Sequence, residues 1–386
     1  MIPYGKQDIT QEDIDSVVEV LKSDFLTQGP QVPLFEKSIA RATGATFSVA
    51  VNSATSALHI ACLALGVGKG DIVWTTPITF VASANCALYC GAEIDFVDID
   101  PVSYNLSADA LEEKLVNSKK EGLTLPKVVI PVHLCGQSCE MDKIKALSDE
   151  YGFYVIEDAS HAIGGKYKGN PVGSCEYSDI TVFSFHPVKI VTTAEGGVAT
   201  TNSAELAQKM ELFRSHGVTR DPALMVGDSH GDWYYEQVEL GFNYRMTELQ
   251  AALGVSQMTR ISGFVAKRNE LADRYDDMLM HLPLILPKQH IDAYSARHLY
   301  VIRLKLDDIS FTHKQVFEQL REKGIGVNVH YIPVHTQPYY KKLGFLDGQF
   351  IEAEKYYSNA ISLPLFHMMT DVQQNEVVSV LSSILN

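Results

Sequence analysis

The chain has 386 residues, 46% of them hydrophobic, and a formal net charge of −15. That is enough apolar material for one large core and a smaller companion, so a disordered chain is excluded. The acidity is spread without a tail and no Lys/Arg block occurs, which argues against nucleic-acid or anionic-membrane surfaces and leaves a small-molecule partner.

The start, Met1 to Asp13, has neither the basic nor the apolar segment of a signal peptide. No run reaches the ~18 apolar residues of a membrane span, so the cytoplasm is the expected location. The spacing of Thr10 and Asp13 predicts a capped helix, with Ile14, Val17, Val18 and Leu21 at helical intervals. β-branched runs then alternate with helical ones: Phe47 to Val51, Ile72 to Thr76, Ile94 to Ile99, Val128 to His133, Tyr154 to Asp158, Ile180 to Phe185 and Gly197 to Thr201. This alternation predicts an α/β fold with a mostly parallel sheet flanked by helices. Helical, charge-studded sequence follows from about Met246 to His281. Tyr300 to Leu306, Lys314 to Lys323 and Val327 to Tyr331 then indicate a smaller α+β unit. We divide the chain into a large domain, 1–250, and a small one, 251–386, with the first dozen residues packing on the latter. Cys62, Cys86, Cys90, Cys135, Cys139 and Cys175 lack zinc-ligand spacing, so free thiols and no metal are expected.

Ligands of parallel α/β sheets bind beyond the carboxyl ends of the strands, so chemistry is sought there. Asn52-Ser-Ala-Thr-Ser-Ala-Leu58 passes from a strand into a helix through small hydroxyl residues. Such a turn presents free N–H groups and the positive helix end to a phosphate, although a simple cap explains Ser53 or Thr55 equally well. Phe80 follows the second strand and could stack on a flat ring or belong to the core. Asp158 ends its strand and could cap the next segment or face a cationic ring nitrogen. Lys189 follows a buried-looking strand within Pro187, Val188, Ile190 and Val191. An apolar surround lowers an ammonium pKa and yields the neutral amine that Schiff-base chemistry needs. An anion cup, an aromatic plate, a carboxylate and an amine are together the four items required by pyridoxal 5′-phosphate (PLP). A Walker A motif and a Gly-rich nicotinamide turn are both absent.

These motifs resemble the sugar-nucleotide aminotransferases of the DegT type, fold-type I PLP enzymes, over essentially the whole chain. They are Asn52 to Leu58, Glu157-Asp-Ala-Ser-His161, Phe183 to Lys189, Glu195-Gly-Gly197 and Leu240 to Thr247. Phe25 to Pro30, Val73 to Phe80, Arg214 to Gly217 and Trp233 to Glu236 resemble the branch serving pseudaminic acid biosynthesis. That branch aminates C4 of a UDP-linked 4-keto-6-deoxy-N-acetylhexosamine. The resemblance implies that Lys189 carries PLP, Asp158 pairs with its ring nitrogen, and Ser184, Ala54 and Thr55 hold its phosphate. It places His161 beside the phenolic oxygen and Phe80 on the ring. It also implies a homodimer in which Asn243 reaches the neighbouring subunit's cofactor. Tyr4, Leu26, Thr27, Gln28, Gly29, Asn328, Val329, His330 and Tyr331 would line the sugar-nucleotide pocket. L-glutamate, leaving as 2-oxoglutarate, would be the donor, with Arg245 a candidate for its carboxylate. Ala194 stands where relatives commonly carry Gly, and His133-Leu-Cys-Gly136 also departs from the pattern. Two alternatives remain at this stage: action on another nucleotide-linked keto-sugar, and a PLP-binding regulator without turnover. The sugar dehydratases of similar sequence carry histidine in place of the lysine, which Lys189 argues against.

Overall fold

All seven expected strands form and join one sheet: β1 (Phe47–Val51), β2 (Ile72–Thr75), β3 (Glu93–Phe96), β4 (Val128–Ile130), β5 (Tyr154–Asp158), β6 (Ile180–Ser184) and β7 (Gly197–Thr201). The computed structural model describes residues 1–385. The spatial order is β1-β7-β6-β5-β4-β2-β3, with only β7 antiparallel to its neighbours. Alternate residues of the central strands serve opposite faces, as a two-residue period demands. Val128, Ile130, Ile156 and Val182 pack into one core with α3 (Ala54–Ala64), the helix after α1 (Gln11–Lys22) and α2 (Gln31–Thr43), while Val129 and Val155 pack into another with Leu111, Leu115 and Ile144. α3 runs through the middle, buried at eight of its eleven residues. Strands covered on both faces are buried at nearly every residue, and β6 and β7 are, with Thr181, Thr200 and Thr201 satisfied by internal hydrogen bonds.

The first helix, Gln11–Lys22, opens with the Thr10–Asp13 capping box. Its expected apolar stripe behaves differently: Ile14 and Leu21 are exposed, whereas Asp13 is fully buried against Ser256, Gln257 and Arg260. In the C-terminal region, Leu284–Ile285, Tyr300–Leu304 and Ala360–Leu363 form a three-stranded antiparallel sheet with a core of its own. Val327–Tyr331 makes only an isolated bridge, Asn328 to Ser362. There the Asn328 side chain accepts the next backbone N–H, and the segment turns toward the large sheet. Ile2 packs into this C-terminal core through hydrogen bonds with Gly324 and Gly326. No helix among the described residues is long and apolar enough to cross a membrane.

Candidate active site

The carboxyl ends of β1, β4, β5 and β6 open onto one cleft of about 570 Å³. At its anion end, Ser53 caps α3 by accepting the Ser56 N–H at 3.1 Å, leaving Ala54 and Thr55 in the first turn facing the cavity. Ser184, at the end of β6, lines the same space. The two readings left by sequence are compatible: Ser53 is the cap, and Ala54 and Thr55 line the cleft at the helix N-terminus, where an anion would be favoured. A Cβ on Gly197 would lie 2.4 Å from the Ser53 carbonyl and 2.5 Å from the Ala54 nitrogen. Glycine lets β7 run against this turn and keep the cup closed on one side.

Asp158 is 5% exposed and is not a helix cap. Its carboxylate accepts Ser83 Oγ at 2.6 Å on one oxygen, and Ser160 Oγ at 2.6 Å with Ser160 N–H at 3.1 Å on the other. These donors fix the orientation of the carboxylate, which lines the cleft. Phe80 is 60% exposed at the cleft mouth and so is no core aromatic; its ring lies 6.3 Å from that of Tyr331.

Lys189 sits half-buried on the floor, where burial lowers its ammonium to about 8 against the weaker opposing pull of Asp158. An amine so placed is partly neutral near physiological pH, as nucleophilic attack requires. His161 is buried; its Nδ1 accepts the Cys135 N–H at 3.3 Å, and its Nε2 lies 3.1 Å from Tyr331 Oη. Burial, then Lys189 and His330, hold this imidazole well below its ordinary range. His330, bonded through Nδ1 to Ser362 Oγ at 2.8 Å, is pushed down to about 3 by burial and Lys189.

Tyr4, Asn328, Val329, His330 and Tyr331 line the wall opposite the sheet. Leu26 to Gly29 and Asn243 do not reach this cleft within one chain. The former loop is tied to residue 248 by a bond from the Glu248 N–H to the Leu26 carbonyl, with Glu248 accepting the Gln31 N–H at 2.6 Å. Gly29 is required there, since a Cβ would meet the Glu248 carboxylate at 2.7 Å. Asn243 is exposed, its backbone bridged to Ser215. Sequence reasoning missed Ser83, Ser160 and His298. Ser160 was readable from its place beside Asp158, whereas Ser83 and His298 reach the site only through folding.

The residues present fit PLP: Ala54, Thr55 and Ser184 would hold the phosphate, Phe80 and Asp158 line the space that a flat cationic ring would fill, and Lys189 lines the same space. The DegT/DnrJ/EryC1/StrS aminotransferase family model matches residues 7–382. A curated relative from Campylobacter jejuni, a UDP-4-amino-4,6-dideoxy-N-acetyl-beta-L-altrosamine transaminase, is 39% identical over 390 residues, covering 100% of this chain and 98% of its own. One from Shewanella sediminis, a UDP-4-amino-4-deoxy-L-arabinose–oxoglutarate aminotransferase, is 36% identical over 99% of this chain and 98% of its own. The solved structure of Helicobacter pylori PseC, an aminotransferase involved in pseudaminic acid biosynthesis, superposes with a TM-score of 0.90. It is 32% identical, with 100% of this chain and 99% of that one covered. The chain belongs to the DegT/DnrJ/EryC1/StrS aminotransferase family and is a PLP-dependent sugar aminotransferase.

Proposed function

We propose that the enzyme transfers an amino group from L-glutamate to C4 of a UDP-linked 4-keto-6-deoxy-N-acetylhexosamine, giving UDP-4-amino-4,6-dideoxy-N-acetyl-β-L-altrosamine. The reading is supported above all by Lys189 and Asp158 facing one cleft, the amine poised near 8 and the acid fixed by two serines. The Campylobacter relative's activity supplies the substrate. The Shewanella relative favours a second reading, a UDP-linked 4-keto-pentose, which shares the C4 ketone and the glutamate-derived donor.

Bound PLP supplies an electron sink that lets a proton leave the donor's α-carbon. Lys189 holds the cofactor and, once free, moves that proton, because its amine is neutral in part at working pH. Asp158 keeps a positive charge on the ring nitrogen stable in a dry site. Ala54 and Thr55 offer N–H groups to the phosphate, and Ser184 its hydroxyl. His161 offers Nε2 to the phenolic oxygen, while Tyr4 and residues 328–331 enclose the sugar. We assign these tasks to residues 1–250 and 251–386 as two cooperating domains in the cytoplasm.

The working unit in this proposal is a homodimer. Ile14, Leu21, Phe25 and Leu26 are all exposed on or just after the first helix, more apolar surface than one short stretch normally leaves to water. A second protomer would cover it and bring Leu26 to Gly29 and Asn243 to the partner's cleft. Incubation with glutamate and each UDP-linked 4-keto-sugar, followed by NMR of the product, tests the assignment. Amination of the N-acetylhexosamine at C4 is expected. Turnover of the pentose alone favours the second reading, and turnover of neither refutes both.

A further inference from the structure

His298 is 4% exposed, yet its ring lines the cleft and lies 4.4 Å from that of His161, centroid to centroid, at 47°. Its Nδ1 is buried without a hydrogen-bond partner among the described residues. The main chain of Cys135 joins the His161 ring to the backbone of His298. The Cys135 N–H donates to His161 Nδ1 at 3.3 Å, and the Cys135 carbonyl accepts the backbone N–H of His298 at 2.8 Å. Gly136 keeps this junction tight: a Cβ would come within 2.8 Å of both the Arg297 nitrogen and the His161 carbonyl oxygen. Behind it, the buried Arg268 donates to the carbonyls of Arg297, His298 and Leu365 at 3.3, 3.1 and 2.9 Å.

With Nδ1 of His161 occupied as an acceptor, the proton of the neutral ring resides on Nε2, toward Tyr331. The His298 ring closes the other side to water. We propose that His298 is a positioning residue: its ring seals the back of His161 from water, so that the Cys135 N–H on Nδ1 meets no competing donor and the His161 ring stays in the Nε2–H form directed at the cofactor space. The importance of this device rests on the proposed place of His161 beside PLP, while its geometry does not. Lys189, His330 and Arg268 face the pair and oppose a second positive charge; Asp158 and Tyr331 share the cleft. Burial is the largest influence holding both imidazoles neutral, so admitting water beside His161 should raise it toward the ordinary ~6.5.

The test is histidine side-chain NMR of full-length protein carrying [15N]histidine, with and without PLP, His161 being assigned through His161→Gln. The native ring is expected as a single Nε2–H tautomer whose titration midpoint lies well below the ordinary imidazole range. His298→Ala should give mixed tautomers and a titration midpoint moved up toward ~6.5, and His298→Phe, which keeps the seal, should restore both. Native-like His161 signals in the alanine variant would overturn the proposal, as would failure of a normally melting phenylalanine variant to restore them. If the alanine variant does not fold, His298→Gln should move the signals the same way, and unchanged signals again overturn it. A native protein that takes up no PLP sinks the cofactor reading, leaving the PLP-free spectra to decide this one.

Discussion

Replacing Lys189 with Met should make the PLP-free protein more stable, although it abolishes activity. Holding the ammonium down from 10.5 to about 8 costs the fold about 3 kcal/mol at neutral pH, where the unfolded chain solvates the same charge freely. Met fills similar space without the charge. Asp158 keeps Ser83 and Ser160, so no carboxylate is orphaned. The pH dependence gives the sign. Below pH 8 both states carry the proton and the penalty is complete; between 8 and 10.5 the unfolded state binds more protons, so the native protein gains stability as pH rises. The advantage of the variant should therefore be near 3 kcal/mol at pH 7 and vanish toward pH 10.5. Urea unfolding of both PLP-free proteins at pH 7, 8.5 and 10 measures it. A variant no more stable at pH 7, or an advantage that does not shrink with pH, refutes the reasoning.

Asp158→Asn should lower kcat/KM by at least about a hundredfold with the fold intact, because the ring nitrogen loses its charged partner; kinetics alongside a thermal melt separate the two effects. Ser83→Ala leaves one oxygen of Asp158 short of a donor and should cost about 1–3 kcal/mol by denaturant titration, with weaker PLP retention. Ala194 sits at φ 65°, so Ala194→Gly should stabilise the protein by about 1 kcal/mol in the same assay. Lys189→Ala and Asn243→Ala are each expected to be inactive, whereas co-folding them in equal amounts should recover roughly a quarter of native activity if sites are shared across a dimer.

The strand pattern was legible because buried parallel strands are rich in β-branched residues; Asp158 and Ser184 stand at strand ends, and Lys189 five residues beyond one. The Ala194 departure was also visible in the sequence, and its left-handed backbone explains why glycine suits the position. Less was readable where one residue serves two purposes. Asp13 has the spacing of a cap but spends its burial on Ser256, Gln257 and Arg260. Ile14 and Leu21 have a core helix's spacing, yet meet no core within the chain. His298 and Ser83 gave no local sign, because their relation to His161 and Asp158 arises from contacts spanning 137 and 75 positions.

The position of β7 also orders the birth of the cleft. β1 touches the sheet only through β7, which is synthesised roughly 150 residues later, so the turn at Ser53 and Ala54 has no sheet partner until Gly197 has emerged. Tyr4 waits longer still: its neighbour Ile2 is anchored by Gly324 and Gly326, and its own carbonyl by the Leu365 N–H. A nascent chain therefore completes the Ser53–Ala54 end of the cleft first and the wall that carries Tyr4 last, and a ribosome stalled before residue 365 would carry a protein lacking that last tether of Tyr4.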